Sequence, residues 1–245
     1  MHSLLRLILL LVSLLFPTAA AWAQSVHDAF GHWTATLSLP VGEMKIEIDL
    51  AADSDVGTIG QFSQPTQQLT GLALSNVRVE GSSVRFDLPG AIEASFSGRV
   101  DADGASMSGE LSGLQGSLPV TFTRSGDAHI VTPPVSAPIT TSLEGTWRGI
   151  LRTPTRDMHV MMVLTNRTDG TSAGSFTSLD EGRLTIPLAI AQHAADVRLE
   201  SPVTHASYTG TLNGGGTEIA GMYAQQGVSI PLTFTRETSP SAVGR

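Results

Sequence analysis

The stretch Gly145-Thr146-Trp147-Arg148-Gly149-Ile150-Leu151 has an earlier echo in Gly31-His32-Trp33-Thr34-Ala35-Thr36-Leu37. The offset is 114, and it also aligns Met44 with Met158, Leu50 with Leu164, Gly60 with Gly174 and Phe62 with Phe176. Further along the offset becomes 112, aligning Phe96 with Tyr208, Gly98 with Gly210 and Gly109 with Gly221. Both copies close on one pattern: Leu118-Pro119-Val120-Thr121-Phe122-Thr123-Arg124 and Ile230-Pro231-Leu232-Thr233-Phe234-Thr235-Arg236. A near-constant offset held this long marks an internal repeat, and a repeat decides the organisation of a chain before any single motif does.

Within each copy the periodicity is two. Met44, Ile46, Ile48 and Leu50 alternate with Lys45, Glu47 and Asp49, the pattern of a half-buried strand with one wet face. Turn signals such as Asp169-Gly170 and Asp103-Gly104 recur at short intervals. No 3.6-residue stripe follows the first 23 residues. Copy two divides into eight short strands near 145–152, 157–165, 171–178, 183–190, 195–200, 205–212, 217–224 and 228–236. Eight sequential strands joined by turns can close on themselves and lose their exposed edges. The expectation is all-β: two tandem antiparallel meanders, each a small barrel, with sandwiches or one shared sheet system as alternatives. The Gly-x-Trp at the start of strand one resembles that of calycin barrels.

The divisions follow. Residues 1–23 carry Arg6, an apolar run from Leu7 to Phe16, and Ala21-Trp22-Ala23, the plan of a secretory signal peptide. The run is too short for a bilayer, which needs about 20 residues. A lead (24–30), copy one (31–124), a Pro-containing linker (125–144), copy two (145–236) and a Ser/Pro/Gly-rich tail (237–245), expected to be disordered, complete the chain. There is no Cys, so an exported protein would be held by its core alone. The formal charge is −8, and losing Arg6 makes it −9. That balance argues against nucleic acid and against anionic membrane surfaces. The location implied is periplasmic or extracellular, with no membrane span once the signal is removed.

Copy two resembles a β-rich accessory domain that precedes the catalytic domain of secreted α/β-hydrolases and serine β-lactamase-like hydrolases. The matching residues are Gly145 to Leu151, Ser178-Leu179-Asp180-Glu181-Gly182, Ile186-Pro187-Leu188, Tyr208-Thr209-Gly210 and Gly221 to Gly227, running into Ile230 to Arg236. Copy one keeps the ends but has Gln64-Pro65-Thr66-Gln67-Gln68 at the central turn and Gly113 in place of Gln225. The resemblance implies no catalytic residue. It implies an accessory role in trans with a separate hydrolase.

Catalytic motifs are sparse. Gly170-Thr171-Ser172-Ala173-Gly174 matches G-x-S-x-G, with Asp196 and His205 in hydrolase order. The elbow needs a strand turning into a helix, and here a hairpin turn feeds a strand. Copy one has Thr58 in place of Ser172. A serine hydrolase is therefore the weakest reading, and the chain is read as a non-enzyme. The only Lys is Lys45, which excludes S-x-x-K and Walker chemistry. His159, His193 and His205 read as surface histidines, Asp101-Ala102-Asp103-Gly104 as a hairpin turn, and no metal or cofactor is assigned. Asn166-Arg167-Thr168 is a glycosylation sequon, relevant only in a eukaryotic host.

What remains is binding or scaffolding with an unspecified ligand. Trp147, Arg148, Tyr208, Tyr223 and Gln225 are the candidate ligand residues, with Gln225 and Arg148 at a barrel mouth. Inward glycines at 149, 174, 210 and 221 leave a cavity or let the sheet coil tightly. Met161 and Val163 point outward where copy one has Glu47 and Asp49. That stripe is expected to meet copy one, the linker at Ile130–Val135, or a protein partner.

Overall fold

In the computed structural model residues 29–39, 42–89, 94–113, 116–180 and 184–237 are described. The signal-peptide segment and positions 238–245 of the tail lie outside them. Two separate antiparallel sheets form, and they are not shared between the copies. Among the described residues no helix is long and apolar enough to cross a membrane.

The second unit is a closed eight-stranded barrel: β10 (Gly145–Arg152), β11 (Asp157–Asn166), β12 (Ser172–Ser178), β13 (Thr185–His193), β14 (Asp196–Glu200), β15 (Ser207–Leu212), β16 (Glu218–Gln225) and β17 (Val228–Arg236). Each strand pairs with its neighbours in sequence, and β17 returns to β10 through Trp147↔Arg236. The strands fall within a few residues of the period-two reading.

The first unit has nine strands: β1 (Gly31–Leu39), β2 (Gly42–Asp53), β3 (Gly57–Gln64), β4 (Leu69–Ala73), β5 (Ser75–Glu80), β6 (Ser83–Asp87), β7 (Ser95–Val100), β8 (Ser106–Gly113) and β9 (Gly116–Gly126). The extra strand is a break. In the second unit β13 pairs with β12 over its first half and with β14 over its second. In the first unit these halves are β4, on β3, and β5, on β6. The break falls at Leu74, the counterpart of Leu188, whose N–H still reaches Gly60 O at 2.9 Å. Just past it Asn76 takes a left-handed φ of 51° and the pairing slips by a residue. Asn tolerates that backbone better than most residues. Its side chain donates to Asp87, and with Ser95 holds that carboxyl below its usual pKa. The sheet is therefore a barrel left nearly, not fully, closed.

Both cores are built on the same clamp. Trp33 and Trp147 are fully buried, and their indole N–H groups donate to Ala29 O at 2.9 Å and Leu143 O at 3.0 Å. The guanidinium groups of Arg124 and Arg236 lie over the indoles, 4.3 and 4.4 Å from the ring centroids. Their Nε atoms donate to Gly104 O and Gly216 O, and their Nη1 atoms to Phe30 O and Glu144 O. Gly145 explains the Gly-x-Trp spacing: its φ is +132°, and a Cβ there would stand 2.7 Å from Arg236 Nη1.

The linker is not a free tether. Val131 exchanges two hydrogen bonds with the Gln61 side chain, N–H to Oε1 at 2.8 Å and O from Nε2 at 2.7 Å. Ile139 and Leu143 are buried in the second core. Asn166, the sequon residue, spends both amide atoms on Ile139 at 2.9 Å each.

The space at the inward glycines is taken by neighbouring protein atoms: side chains of Ile190 and Leu164 at Gly174, and backbone at Gly221. A Cβ on Gly221 would overlap the Thr209 carbonyl oxygen and stand 2.5 Å from Gly210 Cα, while Gly214 has open space around it. Gly221→Ala is expected to lower unfolding free energy by about 1–3 kcal/mol in urea titration, with Gly214→Ala leaving it within about 0.5 kcal/mol.

Candidate functional site

The second barrel is hollow at the end away from its Trp–Arg clamp. A cavity of about 240 Å³ is walled by Met158, Met162, Phe176, Leu188, Leu199 and Leu232, with Tyr208 and Phe234 beneath and Tyr223 and Gln225 on its polar side. β11, β12, β13, β14 and β17 supply the apolar wall because their alternate residues face the axis. The Tyr223 hydroxyl donates to Gln225 Oε1 at 2.7 Å, and Gln225 Nε2 donates to Thr204 O at 3.2 Å. Phe176 stacks on Tyr223 with centroids 6.3 Å apart.

Tyr208 forms the floor. Its hydroxyl is shared between Ile219 O at 3.0 Å and Leu232 O at 3.1 Å, and burial pushes its pKa well above the ordinary tyrosine value. Ser178 sits on the wall. Its Oγ is the buried side-chain polar atom without a hydrogen-bond partner among the described residues. Such an atom costs about 1–3 kcal/mol, a cost a polar group in the cavity would relieve.

The first unit supplies the rim. Its β3–β4 connection, Gln64 to Leu69, carries a 3-10 turn at Pro65–Gln67, and Gln67 and Leu69 line the cavity of the second barrel. The β3–β4 pairing slips beyond Phe62↔Leu72. The slip frees the Thr70 N–H, which donates across the units to Val203 O at 2.8 Å. Val203 is buried in the first unit's core cluster, with Leu184 and Ile186 packed against it. The Gln-rich turn that departs from the copy-two pattern is thus the contact that borders the second barrel's opening.

The candidate residues separate. Tyr208, Tyr223 and Gln225 line the cavity. Trp147 lies in the clamp and outside the cavity lining. Arg148 does not join Gln225 at a mouth: it is exposed on the outer face and pairs with Glu237 at 3.1 Å. Outward parity on β10, which the alternation itself required, puts it there. Ser178 and Phe176 complete the wall; nothing in the sequence signals an unpaired Ser178. The four inward glycines are not cavity lining.

Met161 and Val163 are half-buried on the outer face, opposite Arg148 and Thr146 of β10. A backbone hydrogen bond joins the units at Thr70 and Val203, and Val135 of the linker is 81% exposed. The reading of Asp49 as part of a wet face is corrected: it is 4% exposed, because the linker at His129 closes over it.

Ser172 Oγ donates to Ala137 O at 2.7 Å, and its N–H to Ser136 O at 3.0 Å. Asp196 accepts from Thr211 at 3.2 Å. His159 is bonded to Asp180, whose carboxyl is held below its usual pKa chiefly by the His159 backbone N–H. Asp101 and Asp103 accept from Ser106 and Ala105 within their own hairpin turn.

No protein-family model matches the chain, and no curated protein matches it. Two solved structures are similar in part. One is a candidate outer membrane protein from Bacteroides fragilis NCTC 9343, 11% identical, covering 86% of this chain and 99% of that one, with a TM-score of 0.27. The other is a protein of unknown function from the DUF3598 family of Nostoc punctiforme PCC 73102, 12% identical, covering 87% and 98%, with a TM-score of 0.26. What the fold itself defines is an all-β protein of one closed and one nearly closed antiparallel barrel.

A pH signature follows from the floor of the cavity. Tyr208 has its folded pKa raised, so its contribution to stability is complete below the unfolded value of about 10 and is lost as pH rises above it. Wild-type unfolding free energy should fall more steeply above about pH 10 than that of Tyr208→Phe, measured by denaturant titration across alkaline pH.

Proposed function

We propose that the chain is an exported, non-catalytic binding protein that holds one small, mainly apolar molecule inside its second barrel. The observation that carries this reading is the unpaired Ser178 Oγ on the wall of a mainly apolar cavity. Ligand sites are largely apolar with a few placed polar groups. A molecule with one hydrogen-bonding group near Ser178 and an apolar body against Phe176, Leu188 and Met162 fits that wall. Export rests on the signal-peptide pattern of residues 1–23.

Size narrows the class. A 150 Å³ apolar cavity takes benzene, so a cavity of about 240 Å³ suits a body of about ten non-hydrogen atoms. Medium-chain alcohols and acids, and small substituted aromatics, are of that size. The first unit acts as scaffold and rim. Its Gln67 and Leu69 border the cavity.

The test is calorimetric titration of the mature chain with 1-decanol and with 2-naphthol. Saturable binding at one site is expected, abolished in Leu188→Trp, which fills the cavity. Ser178→Ala should weaken 2-naphthol binding by about 0.5–1.5 kcal/mol, the net worth of one hydrogen bond. Failure of both compounds to bind a folded wild-type chain, or unchanged binding in a folded Leu188→Trp chain, would overturn the reading.

A further inference from the structure

We propose that His32, Asp49 and His129 form a site for a divalent transition cation of the zinc class, which staples the linker to the wall of the first barrel. This is independent of the second barrel's cavity.

One donor atom from each of the three side chains lies within 4.8 Å of the others. Donors to one tetrahedral zinc ion sit about 3.4 Å apart for bonds of about 2.1 Å, so side-chain rotations of modest size bring them into range. His32 and Asp49 are cross-strand partners on β1 and β2, with His32 Nδ1 and Asp49 Oδ1 2.8 Å apart. His129 arrives from the linker. Its backbone N–H donates to Asp49 Oδ1 at 2.8 Å, and its ring meets His32 edge-on, centroids 5.5 Å apart.

A backbone N–H at position 129 would bond Asp49 whatever side chain it carried. The second imidazole beside the carboxylate is what a simple hydrogen-bonded staple does not require. Asp49 is 4% exposed, and a buried carboxylate calls for a positive partner. A dication held between the two imidazoles and the carboxylate supplies it. Glu47 Oε2 lies 3.9 Å from His32 Nε2, adding negative potential, although Glu47 also pairs with Lys45 at 2.9 Å. Two nitrogen donors and one oxygen, with no sulfur, suit Zn²⁺, Ni²⁺ or Cu²⁺ better than Mg²⁺ or Ca²⁺. His129 is exposed, which leaves a fourth position for water.

The experiment uses tag-free mature protein stripped with chelator and titrated with Zn²⁺ by calorimetry, with Co²⁺ as a spectroscopic reporter. One equivalent of Zn²⁺ should bind and raise the melting temperature, and Co²⁺ should give the visible bands of a low-coordinate nitrogen–oxygen site. His129→Ala lies on the surface and should keep the wild-type circular dichroism spectrum. It should weaken Zn²⁺ binding by more than the roughly 10–100-fold that loss of a supporting outer group costs. His32→Ala should do the same. Absence of saturable binding to wild type, or a loss below about tenfold in both variants, would overturn the proposal, since bound ions would then sit on other histidines.

Discussion

The fold hangs on the packing of an arginine against a tryptophan, made twice. Each barrel must join its last strand to its first, and each does so where a guanidinium covers a buried indole and bonds backbone carbonyls from two directions. An indole buried this way needs its N–H satisfied, and Ala29 O and Leu143 O do that. A planar guanidinium can stack and donate in several directions at once, which a lysine cannot. The Gly before each Trp follows from the clamp, because a side chain there would collide with the arginine.

With the frames alike, the difference between the units comes from what fills them. In the first unit Phe86 stacks on Phe96 at 4.9 Å, and Phe96 meets Phe122 edge-on at 5.4 Å. The second unit has Leu199, Tyr208 and Phe234 in those places, as the pairings Phe86↔Phe96 and Leu199↔Tyr208 show. Buried Gln64 stands where the second unit has the smaller Ser178. Each change trades a larger side chain for a shorter one or gives it a polar end. An eight-stranded barrel sits at the margin between packed and hollow, so a few such exchanges decide which it is. The break at Leu74 and the shifted β3–β4 pairing let the first unit present Gln67, Leu69 and Thr70 to its neighbour.

The strands of the second barrel were legible because one face of each is apolar and period two survives in Ile230, Leu232 and Phe234. The split at Leu74 was not, since it depends on the backbone of Asn76 and on pairing with two different neighbours. Parity cannot tell one end of a barrel from the other, so Trp147 stands among the candidates with Tyr223 although it belongs to the clamp. The glycines were ambiguous because a missing side chain reads the same whether a ligand or another backbone takes its space. At Gly221 it is backbone. The cluster at Asp49 had no local signal: β1 and β2 had to pair in register, and a linker 80 residues away had to fold back over them.

The same clamped frame holds a cavity in the second unit, and in the first it holds the packed rings of Phe86, Phe96 and Phe122. A crystal of the mature protein under xenon pressure tests it directly, because xenon enters preformed apolar cavities. A xenon atom is expected between Phe176, Leu188 and Met162, and none among Phe86, Phe96 and Phe122. No xenon in the second barrel, or equal occupancy in both, would contradict it.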